Sequence, residues 1–245
     1  MIFTVLFVIV MLYISKVLAK KRKEEIEAFV ARHQFKLYPQ QESGCGFQFG
    51  GSFRSQYVGG SVIAGELATQ FKDFKPFGVG HSRLISNAII GEVPFGTFYS
   101  FDYNYTVGSG KNSHRYSYGI AAFRVPFAFK CLNMRPEGFG DKILGTLGFE
   151  DIEFESDEFN REYHIDCEVE KFAFDIIHPE MMCYLMALPK LNWQIAGPYI
   201  VLIQPSFWKP DALEELIPTV GKFIDLIPDY VRQDIGFAPT WTSAL

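Results

Sequence analysis

The chain is 245 residues long, 48% hydrophobic and 16% aromatic, which excludes a disordered polypeptide, since disorder goes with poverty in both. Its charge is uneven. Residues 1–23 carry five cations and no acid, leaving 18 Lys and Arg against 28 Asp and Glu in the rest. A domain that acidic gains nothing from neutralising phosphates, so nucleic acid is excluded as a partner.

Residues 2–15 contain no charge, and Val17, Leu18 and Ala19 carry the apolar run past Lys16. A run ending at Ala19 comes close to the ~20 residues that cross ~30 Å of hydrocarbon as a helix. Lys16 can snorkel its ammonium to the headgroups, and Tyr13 suits the same interface. A cleavable signal peptide would need cations before the run and a small-residue cleavage site after it. Here Lys20, Lys21, Arg22 and Lys23 stand in that place. Residues 1–19 are therefore expected to be a transmembrane anchor with the lipid bilayer as its partner. The cations Lys16, Lys20, Lys21, Arg22 and Lys23 are the expected membrane-surface residues. Because all five follow the apolar run, the positive-inside rule predicts a single-pass protein of the cell membrane, N-terminus outside and domain in the cytoplasm.

Residues 20–33 read as a juxtamembrane helix, with Ile26, Phe29, Val30 and His33 at i, i+3, i+4, i+7. Lys20–Glu24, Lys21–Glu25 and Lys23–Glu27 are spaced for i,i+4 pairing. The α+β domain is expected over 34–233. It opens with a short strand at Phe35–Tyr38, a Gly-, Ser- and Gln-rich loop over 40–61, a strand at Val62–Leu67 and a turn-rich stretch over 72–82.

A meander follows. Leu84–Glu92 and Thr97–Thr106 read as strands joined through Val93-Pro94-Phe95-Gly96. In the second, Tyr99, Phe101, Tyr103 and Tyr105 alternate with Phe98, Ser100, Asp102, Asn104 and Thr106, a strand's period of two. After a polar turn over 107–113, His114–Val125 returns as partner, and Pro126 is expected to end the pairing or to sit at an edge.

A short helix is expected at Asp141–Thr146. Residues 150–170 carry ten acids; Tyr163, Ile165, Cys167 and Val169 read as the dry face of a strand, His164, Asp166 and Glu168 as its wet one. Ser156 is placed to cap a turn begun by Asp157 and Glu158. Phe172–Ile177 and Pro179–Leu188 read as helices. Trp193–Ile195 and Tyr199–Ile203 read as a hairpin about Ala196-Gly197-Pro198. A long amphipathic helix starts near Pro210, its stripe running from Leu213 to Val231, with a kink expected at Pro218 that would allow two consecutive helices. Residues 234–245 read as a tail. The fold class is α+β: an N-terminal transmembrane helix, a mainly antiparallel sheet, flanking helices and the C-terminal amphipathic helix.

Several segments together resemble a bacterial family. They are Pro76-Phe77-Gly78, Phe101-Asp102-Tyr103-Asn104-Tyr105, Arg135-Pro136-Glu137-Gly138, Glu155-Ser156-Asp157-Glu158-Phe159-Asn160-Arg161 and His178-Pro179-Glu180-Met181-Met182. The family, largely actinobacterial, consists of single-pass membrane-anchored α+β proteins whose domain has no assigned function. The resemblance implies a tethered bacterial protein and brings no catalytic residue.

Chemistry-bearing motifs are absent from the sequence. Gly108-Ser109-Gly110-Lys111-Asn112 lacks the first Gly and the final hydroxyl of a phosphate loop and sits in a hairpin. His164 and Cys167 point to opposite faces of a strand. His178-Pro179-Glu180 lacks the i,i+4 His pair of a zinc protease, and the acids of 150–158 lack a calcium loop's alternating ligands and Gly. No metal and no cofactor is expected. The four cysteines, Cys45, Cys131, Cys167 and Cys183, form no CxxC and read as buried free thiols of a reducing compartment. The reading is a tethered, non-enzymatic binding or assembly domain with a membrane-protein partner. The alternative is a membrane-bound hydrolase or other small-molecule enzyme whose pocket gathers Asp102, Lys111, His114, Arg115 and His178; Arg161 is a further binding candidate, read with Asn160, Arg135 and Glu137 as a buried polar anchor of the fold. A third function, sensing anionic lipid, would fall to Lys20–Lys23.

Overall fold

The computed structural model describes residues 2–38, 62–137 and 151–236. The first element is one unbroken helix, α1 (Ile2–His33), which joins the apolar run to residues 20–33. The three i,i+4 pairs form at 3.5–3.8 Å on its exposed side. Among the described residues no helix is long and apolar enough to cross a membrane; the side chains at 2–5 and 8, part of the apolar run in the sequence, lie outside that description.

The body is one six-stranded antiparallel sheet. Strand β1 (Lys36–Tyr38) pairs with β2 (His81–Val93), β2 with β3 (Gly96–Val107), and β3 with β4 (His114–Pro136). At 23 residues, β4 is the spine. Its first half pairs with β3 and its second with β5 (Tyr163–Cys167), while β6 (Asn192–Pro205) runs along its other edge. The meander's alternation holds: Phe98 packs into the larger core with α1, and Phe101, Tyr103 and Tyr105 into a second core on the opposite face. Helix α2 (Val62–Gln70) covers that second face. Helices α3 (Asp157–Glu162), α4 (Glu170–Ile176), α5 (Pro179–Ala187), α6 (Pro210–Asp225) and α7 (Asp229–Asp234) build the larger core together with the C-terminal half of α1. Ser156 caps α3 by accepting from the Phe159 N–H.

Five expectations are corrected. Val62–Leu67 is helical, because Ala64, Leu67, Ala68 and Phe71 form a buried stripe at i, i+3, i+4, i+7 that outweighs the β-branched Val62 and Ile63. Strand β4 runs through Pro126. Pairing with β3 does stop at Arg124, and a register shift opposite β6 places Pro126 where no ladder N–H is required. The hairpin about Gly197 is instead one strand, with Gly197 at φ +52° facing Phe129 across that irregularity. Helix α6 continues through Pro218, which lies on its exposed side, and the break falls at Leu226–Pro228. Finally, the face of β5 expected to be wet is covered: Asp166 is fully buried and accepts from Asn133 at 2.9 Å, and His164 bonds Asp151 at 2.8 Å. The loop over 40–61, the helix at 141–146 and Cys45 lie outside the described residues.

Cys183 is a sixth correction. It is exposed, since α5 buries Met181, Met182 and Leu185 and turns Cys183 outward. Cys131 is half-buried and Cys167 buried; burial pushes the Cys131 thiol up to about 11 and the Cys167 thiol upward as well. A thiol-alkylating reagent on the native protein is expected to modify Cys183 at least tenfold faster than Cys131 or Cys167, because only thiolate reacts. Peptide mass mapping reads the order, and comparable rates at all three would refute it.

Candidate functional site: an ion-pair clamp and a basic hairpin tip

Strand β3 carries its acid at Asp102, in phase with Phe98 and Ser100 and therefore on the face that α1 covers. Arg22 of α1 reaches down to it with both guanidinium nitrogens, each at 2.8 Å. This is the bidentate geometry that makes Arg–carboxylate pairs strong and directional. Asn87 donates to the same carboxylate at 2.8 Å from a β-bulge in β2, where its own φ is +51°, a conformation Asn tolerates better than most residues. Across the sheet Asp102 faces Gly119 of β4. A Cβ on Gly119 would stand 2.7 Å from the Trp208 nitrogen and 2.9 Å from the Ser206 carbonyl. The bare glycine lets the segment after β6 lie flat on the sheet, and the Phe207 ring there sits 5.0 Å beneath the Arg22 guanidinium.

The Asp102 side chain is only 5% exposed, against 29% for Arg22. Burial raises the Asp102 pKa above its ordinary value, outweighing the downward pull of Arg22 and Asn87. Its two partners favour the ionised carboxylate in a place that disfavours charge. Below the clamp, Ile26 and Phe29 enter the larger core, and Arg32 bonds Glu214 of α6 at 2.6 Å, which lowers the Glu214 pKa. The C-terminal half of α1 is thus fixed to the domain by core packing and two ion pairs.

The other expected residues part company. Lys111, His114 and Arg115 are brought together, all exposed, at the tip between β3 and β4. His81 at the start of β2 braces that tip, its Nε2 lying 2.8 Å from the Gly108 carbonyl. Arg161 is exposed on α3. His178 precedes α5 and spends Nε2 on the Leu226 carbonyl at 2.9 Å. It also lines a groove of about 470 Å³ with Phe154, Phe174, Ile177, Met182 and Met186. Among the described residues, the groove lined by His178 gathers none of Asp102, Lys111, His114, Arg115 or Arg161. Of the membrane-surface set, Lys16, Lys20, Lys21 and Lys23 are exposed, whereas Arg22 turns inward to the clamp. Among the described residues no group of three or more His, Cys, Asp and Glu is placed to hold a metal ion.

Sequence reasoning missed the Arg22–Asp102 pair because 80 residues separate its members. One signal was there: Asp102 is the lone acid between Glu92 and Glu137.

These elements define an α+β domain of one antiparallel sheet, helices on both faces, with a long N-terminal helix clamped to it. The crystal structure of the mycobacterial trehalose monomycolate transport factor A, TtfA, is similar. It matches with a TM-score of 0.52 at 8% identity, covering 84% of this chain and 96% of that one, a likeness of fold alone. No family model and no curated protein matches the chain.

Proposed function

We propose that the protein is a membrane-tethered, non-enzymatic accessory domain that faces the cytoplasm and assembles with a membrane-protein partner. The observation that carries this is the division of α1. From Leu6 to Leu18 its large apolar side chains stand exposed, among them Phe7 at 64%, Leu12 at 58% and Leu18 at 60%. From Arg22 onward the same helix is locked to the sheet. An apolar helix left uncovered by its own domain needs another medium for those side chains, and hydrocarbon meets the need. Rigid attachment then does what a flexible linker cannot, holding one face of the domain at a set orientation to the bilayer and raising its effective concentration toward membrane proteins. The charge step from the apolar run to Lys16, Lys20, Lys21 and Lys23 supports the inward orientation. The printed title of the TtfA structure, a transport factor, is in keeping with an accessory role, and the resemblance to a tethered bacterial family points the same way.

Alkaline washing of membranes and protease treatment from each side test the reading. The chain is expected to stay in the washed pellet and to be cut only in inverted vesicles. Release by the wash, or cleavage on intact cells, would overturn it.

A further inference from the structure

The hairpin tip lies on the same side of the molecule as the free half of α1. Two contacts fix the direction. Phe29 packs with Phe35, which packs with Phe98, and Arg22 holds Asp102. Moving from residue 29 to 22 on the helix therefore follows β3 from 98 to 102, so α1 runs antiparallel to β3. Beyond the clamp both continue the same way. From Asp102 to Val107 the strand climbs about 17 Å beyond the clamp, so the tip lies on the side of the clamp toward the free half of α1. The helix residues Met11–Lys16 are exposed, as are 108–115 of the tip.

Charge singles out this end of the sheet. The domain is acidic, yet no Asp or Glu occurs in residues 74–91 or 103–118. Those stretches hold the start of β2, the tip and the start of β4, and the tip itself presents Lys111, His114 and Arg115 with His81 behind it. Asp102 is the nearest acid in sequence, and it is buried against Arg22.

We propose that the β3–β4 tip is a second membrane contact, docking on anionic lipid headgroups through Lys111, Arg115 and His114. This rests on the tether proposed above. The rigid helix sets the tilt of the domain, and a tip contact adds a second point that fixes its rotation about the helix axis. Cations near an anionic leaflet are attracted within about a Debye length, roughly 10 Å at ordinary salt, so the tip must sit in the headgroup layer to act.

The full chain is reconstituted into bilayers of phosphatidylcholine alone or of phosphatidylcholine and phosphatidylglycerol in equal parts. Flotation reads the tether, and hydrogen exchange of the amides of 108–115 reads the tip. The expected result is flotation with both bilayers and severalfold slower tip exchange in the anionic one. The slowing should vanish in K111Q/R115Q, two exposed positions whose replacement leaves the core untouched. Flotation with equal tip exchange in the two bilayers would overturn the tip contact and leave the tether standing. Tip protection that appears only on adding a second membrane protein would overturn it too, and failure to float would remove both readings.

Discussion

Replacing Arg22 by Gln is expected to destabilise the domain by about 3–5 kcal/mol, the range for removing one partner of a buried pair. The cost is asymmetric. Asp102, at 5% exposure, loses the partner that offsets its burial, while Arg22, at 29%, still reaches water when its partner is removed. D102N should therefore cost less than R22Q, and R22Q/D102N should recover most of the loss, because an amide beside Gln carries no buried charge. Urea unfolding followed by circular dichroism reads the three variants, and an R22Q midpoint equal to wild type would refute the clamp. The pH dependence has a definite sign. A carboxyl whose folded pKa is raised binds its proton more tightly in the folded state. Its contribution is fully present below the ordinary value of 3.8 and is lost as pH rises through the folded value. R22Q removes the main downward influences on Asp102 and pushes that folded value higher still, so its deficit should shrink on acidification toward pH 4. An ion pair that mattered only at the surface would show no such recovery.

The clamp also explains why the fold was more legible than the site. Strand β3 declares itself because both of its faces are written in alternation, aromatic against Phe98, Ser100, Asp102 and Asn104, and both faces are buried. Helix α1 was legible because the charges of residues 20–33 fall on one side and Ile26 and Phe29 on the other. Where the reading failed, a long-range partner had overridden a local signal. Gly197-Pro198 reads as a turn until β4 is there to absorb the irregularity, and the His164–Asp166 face reads as wet until Asn133 and Asp151 supply bonds to it. The site divides in the same way. Lys111, His114 and Arg115 are close in sequence and so share one hairpin tip. Arg22 belongs by sequence to a run of surface cations, and only the fold of β3 beneath α1 separates it from Lys20, Lys21 and Lys23. Adjacent residues reveal a patch, whereas a pair that spans two elements needs the topology first.

The core that holds the helical layer to the sheet has its own point of failure at Trp193. This residue of β6 is completely buried, and its ring lies 5.0 Å from that of Phe223 on α6. Trp193→Ala is expected to cost about 3–5 kcal/mol, from lost transfer energy and from a cavity that a sheet flanked by helices cannot close. Among the described residues its buried indole Nε1 has no hydrogen-bond partner, an arrangement that costs something in desolvation. Trp193→Phe keeps a ring against Phe223 and removes that unpaired donor, so it should lie within about 1.5 kcal/mol of wild type. Urea midpoints compare the two: a Phe variant as unstable as the Ala one would mean that the indole N–H is bonded after all. If the Ala variant loses α6 first, hydrogen exchange should show the Leu213–Ile224 amides opening ahead of the β3 and β4 amides. The clamp at Asp102 would then outlast the helical layer, because its partners Arg22 and Asn87 lie on α1 and β2 and do not pass through Trp193.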